Sequence, residues 1–243
     1  MKNLFFLLLV LPLTSCTNQE LGWFILSPSN HEGLTNLKFL LGGLTTTIYI
    51  SVVSIVISMI IGFIVAVPSL AKSKFLTYLN IGYVEIVRAV PLLVLILWIY
   101  YGLPIMTGIS FSPFVSGIIA LSISESAFQA EIFRAGINSI KKAQWEAGSS
   151  LGLNFLRKLR LVILPQAIKN ILPAIGNQFV YVLKMSSLVS IIGIGDLTRK
   201  ANELVVTTYR PLEIYTFLIF EYLILILIVS FFVRKLEKNL KKD

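Results

Sequence analysis

The sequence predicts an all-α integral membrane protein with about five transmembrane helices, its N-terminus outside and its C-terminus inside. Three observations carry that reading. Hydrophobic residues fill 56% of the 243 positions and charged residues only 14%, where a soluble domain carries about a quarter charged; mean hydropathy is +0.84. The apolar residues fall in runs long enough to cross about 30 Å of hydrocarbon. The basic residues gather between alternate runs, as they do in loops kept in the cytoplasm.

The same composition excludes several functions. A net charge of +9 in a soluble chain would suggest nucleic acid; here the basic residues orient loops, and no nucleic-acid partner is expected. No GxxxxGK[ST] occurs, so the chain has no P-loop of its own for ATP. One histidine, His31, and one cysteine, Cys16, leave no His/Cys metal site, and no Ser/His/Asp constellation is apparent. The chain is therefore expected to be no enzyme and to need no cofactor.

Residues 1–16, MKNLFFLLLVLPLTSC, read as a signal-peptide-like stretch. Lys2 precedes an apolar run from Leu4 to Leu13 that is too short to span. Leu13-Thr14-Ser15-Cys16 matches a lipoprotein cleavage box with Cys16 as the acylated residue; an uncleaved apolar extension is the alternative. Either way residues 17–38 form an exported N-terminal segment.

The transmembrane domain occupies residues 39–235. Phe39 to Ala71 carries no charge and reads as the first span. Ala89 to Ser124 is also uncharged, too long for one helix, and Gly102, Pro104, Gly108 and Pro113 supply turn chemistry; spans are placed at 85–105 and 113–134. A fourth span, 166–186, contains Pro173, Gly176 and Lys184, and its entry is expected to be irregular. Irregular backbone at membrane depth survives where protein or a water-filled cavity surrounds it, so this span is expected to line a path. The last span, 213–234, is interrupted only by Glu221. Residues 236–243 form a basic tail.

Lys72, Lys74 and Arg88 flank one loop. Arg134, Lys141, Lys142, Arg157, Lys158, Arg160 and Lys169 surround a second, and Arg234, Lys235, Lys238, Lys241 and Lys242 come after the last span. Five spans put all three groups on the cytoplasmic side and residues 187–212 outside.

Between the third and fourth spans lies a short charged island. In residues 135–152, Ile137, Ile140, Gln144, Ala147 and Leu151 recur at helical spacing. A helix this short needs a partner surface. Gly152 permits a positive φ at its end, and Asn154 is placed to cap the next helix.

Glu146-Ala147, Gly152 and Ile163-Leu164-Pro165 resemble the EAA loop of ABC importer permeases. Arg88-Ala89-Val90-Pro91-Leu92, the Glu131 to Ile137 segment, Leu164-Pro165-Gln166-Ala167, Leu183-Lys184 and Ser187-Leu188 are similar to the polar amino acid branch of that family (the histidine, glutamine and arginine type). The resemblance runs from about Gly43 to Lys235. It implies that Glu146, Ala147, Gly152, Ile163, Leu164 and Pro165 form a cytoplasmic coupling helix and its surroundings, which dock on separate ATP-binding subunits. It implies further an external solute-binding protein, a second permease subunit (in a homo- or heterodimer), an amino acid substrate, and a place in the bacterial cytoplasmic membrane. Ala143 and Gly148 depart from the pattern, and Gly148 should loosen the helix by about 1 kcal/mol relative to alanine.

Charges inside the spans are expected to serve a path or an internal partner. Glu131 and Arg134, three apart, are expected to pair on one helix face. Glu125, Lys184 and Glu221 are the substrate-path candidates, with Lys184 a candidate partner of either glutamate. The rival reading, an ion-gradient-driven secondary transporter, calls for paired pseudo-repeats, and none is seen.

Overall fold

The computed structural model describes residues 22–70 and 74–240. The signal-like stretch 1–16 with Cys16, residues 17–21, Lys72 and the tail end at 241–243 lie outside the described residues. Among the described residues all regular structure is helical.

After a 3-10 turn at Trp23–Leu26, helix α1 (His31–Leu41) begins where the Asn30 side chain accepts a hydrogen bond from the Gly33 amide. Across Gly42 it leads into α2 (Gly43–Ser69); the two make one apolar stretch, His31–Pro68. The helical structure therefore starts eight residues before the expected span at 39–71.

The span expected at 85–105 is corrected. Two helices, α3 (Lys74–Ala89) and α4 (Leu92–Thr107), meet there at 91°. Proline supplies no N–H and pushes the residue before it out of the helical region, so the chain breaks at Val90-Pro91. Lys74 and Glu85 hid α3 from a search for uncharged runs. Arg88, expected beside a cytoplasmic loop, lies at the far end of α3 from Lys74, about 21 Å along the axis at 1.5 Å per residue.

Helix α5 (Pro113–Asn138) starts with Pro113 in its first turn and with Ser112 Oγ accepting from the Val115 amide at 3.3 Å. It runs past the expected end at 134 and takes in Ile137. The amphipathic helix expected over 135–152 is correspondingly shorter: α6 is Lys142–Ser150. Ile137 is wholly buried in the bundle core, so burial overrides its helical spacing with Gln144. A turn at Phe155–Lys158 and a π turn at Leu159–Ile163 then lead into α7 (Leu164–Met185). The π turn precedes the span expected at 166–186, whose Pro173 and Gly176 lie within the continuous helix α7. A 3-10 stretch, Ser186–Ile192, continues α7, and α8 (Leu197–Thr208) and α9 (Pro211–Leu240) complete the chain's helices.

The centre of the bundle is α2 against α5, running parallel. Ile50 lies at Gly117, Ser122 Oγ donates to the Ser54 carbonyl at 3.4 Å, and Gly62 lies at Gln129. Thr47, Ser51, Ser54, Ser58 and Gly62 lie along one face of α2 and are buried; small residues let membrane helices approach closely. Helix α7 runs antiparallel to α5, with Ile171 at Gly136 and Gln178 at Glu125. Helix α9 runs antiparallel to α7, with Val233 at Gly176 and Leu225 beside Leu183. Asn80 of α3 donates to the Val65 carbonyl at 3.0 Å, and Tyr83 pairs with Ser126 at 2.6 Å. The end of the bundle that holds Lys74, Arg134, α6 and Arg234 is the one the charge bias assigns to the cytoplasm.

Candidate functional site

At the basic end the chain folds back as a hairpin. Its first arm is α6. Leu151 and Gly152 end it, and Gly152 sits at φ 72° as expected. Asn154 Oδ1 accepts from the Arg157 amide at 2.9 Å and starts the second arm, also as expected. The arms are joined by Trp145 stacked on Phe155, with ring centroids 6.0 Å apart, and by Lys158 Nζ donating to Ser149 Oγ at 2.8 Å. Gly148 is buried under the Lys158 stem. The glycine expected only to loosen the helix also makes room for that crossing.

The hairpin rests on the bundle through Leu159 and Ile163, which are buried with Phe133, Ile137, Ala167 and Ile171. Gln166 Nε2 donates to Gln144 Oε1 at 3.2 Å and ties α6 to the start of α7. The sequence-predicted coupling residues thus divide. Glu146 and Ala147 face outward, Glu146 within 3.4 Å of Lys142. Gly152 makes the turn, Ile163 is core, Leu164 is half-buried, and Pro165 is exposed in the first turn of α7. Leu151 and Leu156 are exposed beside them, so the outer surface of the hairpin is both apolar and basic. The contacts made by Trp145 and Lys158 and the bond between Gln144 and Gln166 were not expected from the sequence, although Gln144, Lys158 and Gln166 were each noted there for other reasons.

A second polar group lies along α3, α5 and α7, with Glu125 buried and Arg88 and Tyr181 exposed. Glu125 is 1% exposed and accepts a hydrogen bond from Gln178 Nε2. One turn along α5, Phe128 lies 6.3 Å from Tyr181 of α7. The Arg88 guanidinium stands over the Phe128 ring at 4.7 Å, a cation–π geometry. Asn177, Tyr181 and Lys184 form an exposed face of α7. Toward the basic end α5 and α7 part into a cleft of about 430 Å³ lined by Glu131, Ala135, Ser139, Asn170 and Ala174, among others. Beside it Arg134 Nη2 pairs with Glu131 at 2.8 Å, the ion pair expected from their spacing.

The three path candidates do not meet. Glu125 and Lys184 share the α5–α7 region, but the Lys184 ammonium pairs with neither glutamate. Glu221 stands apart on α9, at a groove of about 170 Å³ lined by apolar residues such as Leu41, Leu44 and Phe217. Arg88, Phe128, Gln178 and Tyr181 were missed as site residues. Arg88 stood in a segment that resembles the polar amino acid branch, and Gln178 is polar within apolar surroundings; Phe128 and Tyr181 gave no signal.

The family described as binding-protein-dependent transport system inner membrane component matches residues 58–242. The chain belongs to this family. The permease resemblance seen in the sequence is thereby borne out, as is the all-helical membrane fold. The arginine transport system permease protein ArtQ of Bacillus subtilis (strain 168) is 34% identical over 210 residues, covering 86% of this chain and 96% of the relative. The glutamine transport system permease protein GlnP of Escherichia coli (strain K12) is 32% identical over 206 residues, covering 84% and 94%. Among solved structures, an amino acid ABC transporter crystallised with histidines superimposes with a TM-score of 0.78 at 37% identity, over 85% of this permease and 96% of that chain. The methionine ABC transporter MetNI, facing inward, shares the fold at a TM-score of 0.74 and 20% identity, over 83% and 96%.

Proposed function

We propose that this permease carries polar amino acids across the bacterial cytoplasmic membrane, powered by separate ATP-binding subunits that grip the hairpin around Glu146. The observation that carries this reading is the hairpin itself. Its inner side is locked into the bundle through Leu159 and Ile163, directly before α7, while Glu146, Ala147, Leu151 and Leu156 remain outward. A push on that outer surface is transmitted to α7, the helix that shares the polar cleft with α5. Family membership replaces the ion-gradient alternative.

Substrate passes between α5 and α7. The Glu125 carboxylate takes the ammonium group of the amino acid in exchange for its bond from Gln178, and Arg88 and Lys184 supply cations for the α-carboxylate. Two ATP-binding subunits require a second permease subunit, and an external binding protein delivers the substrate. Switching between inward-open and outward-open states is a population shift, driven by partners that hold the two states with different strength.

The test is uptake of radiolabelled arginine, glutamine and histidine into proteoliposomes holding the permease with its ATP-binding subunits and binding protein. ATP-dependent accumulation of one of them is expected. ATPase activity without accumulation of any would overturn the substrate assignment.

A further inference from the structure

Where α7 ends, a 3-10 stretch leads to Gly193 at φ 86°, then Ile194, Gly195 and Asp196. Asp196 begins α8: its Oδ1 accepts from the Arg199 amide at 2.9 Å. The residue is wholly buried, and its Oδ2 has no hydrogen-bond partner. Two other elements close on it, α2 and α9. From α2, Thr47 Oγ1 accepts from the Leu197 amide at 3.2 Å. The α2 backbone presses so close that a Cβ on Gly43 would stand 2.6 Å from the Asp196 carbonyl carbon. From α9, Tyr222 shares a hydrogen bond with Thr198 at 3.1 Å. The segment Asp196-Leu197-Thr198 is therefore where the outer end of α7 is fastened to the first and last spans, with the Asp196 carboxyl buried at its start.

The charged and titratable groups around it do not neutralise it. Arg199 is paired with Glu203 at 2.8 Å, and the Lys200 ammonium stands 4.2 Å over the Phe39 ring. The groups on α9 are Tyr222 and Glu221, and α2 offers a hydroxyl and backbone only. A buried carboxylate with an unpartnered oxygen and no cation is a costly charge.

We propose that Asp196 is a proton-operated latch: neutral, it clamps the outer end of α7 to α2 and α9, and ionised, it frees the Gly193-Ile194-Gly195 hinge for the movement that opens the path. This rests on the importer reading above and adds regulation by external acidity to it.

Burial pushes the Asp196 carboxyl up to about 6, outweighing the Arg199, Thr198 and Asp196 amides and the Thr198 hydroxyl, which favour the charged form. A group whose value in the clamped state exceeds its ordinary value favours that state in acid, and the preference is lost as pH rises through about 6. Between pH 8 and pH 5 the clamped state should gain on the order of tenfold over a released state in which the carboxyl is ordinary.

The test uses the full chain in lipid vesicles with its transporter partners. Hydrogen exchange of amides 197–201, corrected for the intrinsic pH dependence of exchange, should show protection falling about tenfold from pH 5 to pH 8, and Asp196→Asn should hold it level. Uptake of arginine, glutamine or histidine should be slower at external pH 5 than at 7.5 in the native chain, and equal at both in the variant. A native protection profile without a midpoint in that range overturns the latch, even if the variant fails to insert. So does the same profile in Asp196→Asn, or a protection change accompanied by pH-indifferent uptake. Protection that responds to pH in vesicles that take up none of the three amino acids overturns the importer reading instead.

Discussion

Gln178 of α7 donates its side-chain amide to the buried Glu125 carboxylate of α5. The pair is replaceable in kind. Glu125→Gln keeps the shape and leaves Gln178 an amide oxygen to bond, so the bundle should insert and assemble normally. A substrate ammonium group would lose a charge-assisted bond worth about 1.5–3 kcal/mol. The apparent KM for uptake should rise on the order of tenfold to a hundredfold, while ATPase activity driven by the binding protein largely persists. Unchanged uptake kinetics in reconstituted Glu125→Gln complex would remove this residue from the substrate site.

Glu146→Lys should uncouple transport. The residue is outward on α6 and, among the described residues, its ion pair is with Lys142 at 3.4 Å, so reversal costs the helix a few tenths of a kcal/mol. A partner surface chosen for a carboxylate meets an ammonium group instead, and like charges brought together at an interface cost several kcal/mol. Insertion measured by membrane fractionation should be normal and uptake reduced at least tenfold. Normal uptake at normal expression refutes the coupling role of this residue.

Gly62→Val should break the bundle. The added Cβ alone would lie 2.5 Å from the Gln129 Cβ and 2.8 Å from the Ala130 nitrogen, and neither can retreat without parting α2 from α5. Overpacking of this kind typically costs about 1–3 kcal/mol. Gly82→Ala is the matched control, since nothing lies within 4 Å of the new atom. Thermal unfolding monitored by size-exclusion of the detergent-solubilised chain should show early aggregation of Gly62→Val only. Equal midpoints would contradict the close α2–α5 contact.

Cysteines at Ser149 and Thr207 should label from opposite sides of the membrane. Both positions are exposed, Ser149 on α6 at the basic end and Thr207 on α8 at the other. With Cys16 replaced by serine, an impermeant maleimide added to intact cells should reach Thr207→Cys alone. Labelling of both from outside would defeat the five-pass orientation.

Membrane class, the approximate spans and the family resemblance were legible in the chain itself. Apolar runs answer to bilayer thickness, and a Glu-Ala start, a Gly152 turn and an Ile163-Leu164-Pro165 restart are local chemistry that neighbours need not supply. Gly152 and Asn154 behaved as their own backbone preferences dictate. What the tertiary structure decided is which residues share a space. The break at Pro91 turns one expected span into two helices at 91° and carries Arg88 from a loop to the Phe128 ring. It took packing to separate Glu125, which meets Gln178, from Glu221, which meets only apolar walls. Hydropathy scores each residue by its own cost of burial, and a pair such as Glu125–Gln178 lowers that cost only once two helices distant in sequence stand side by side.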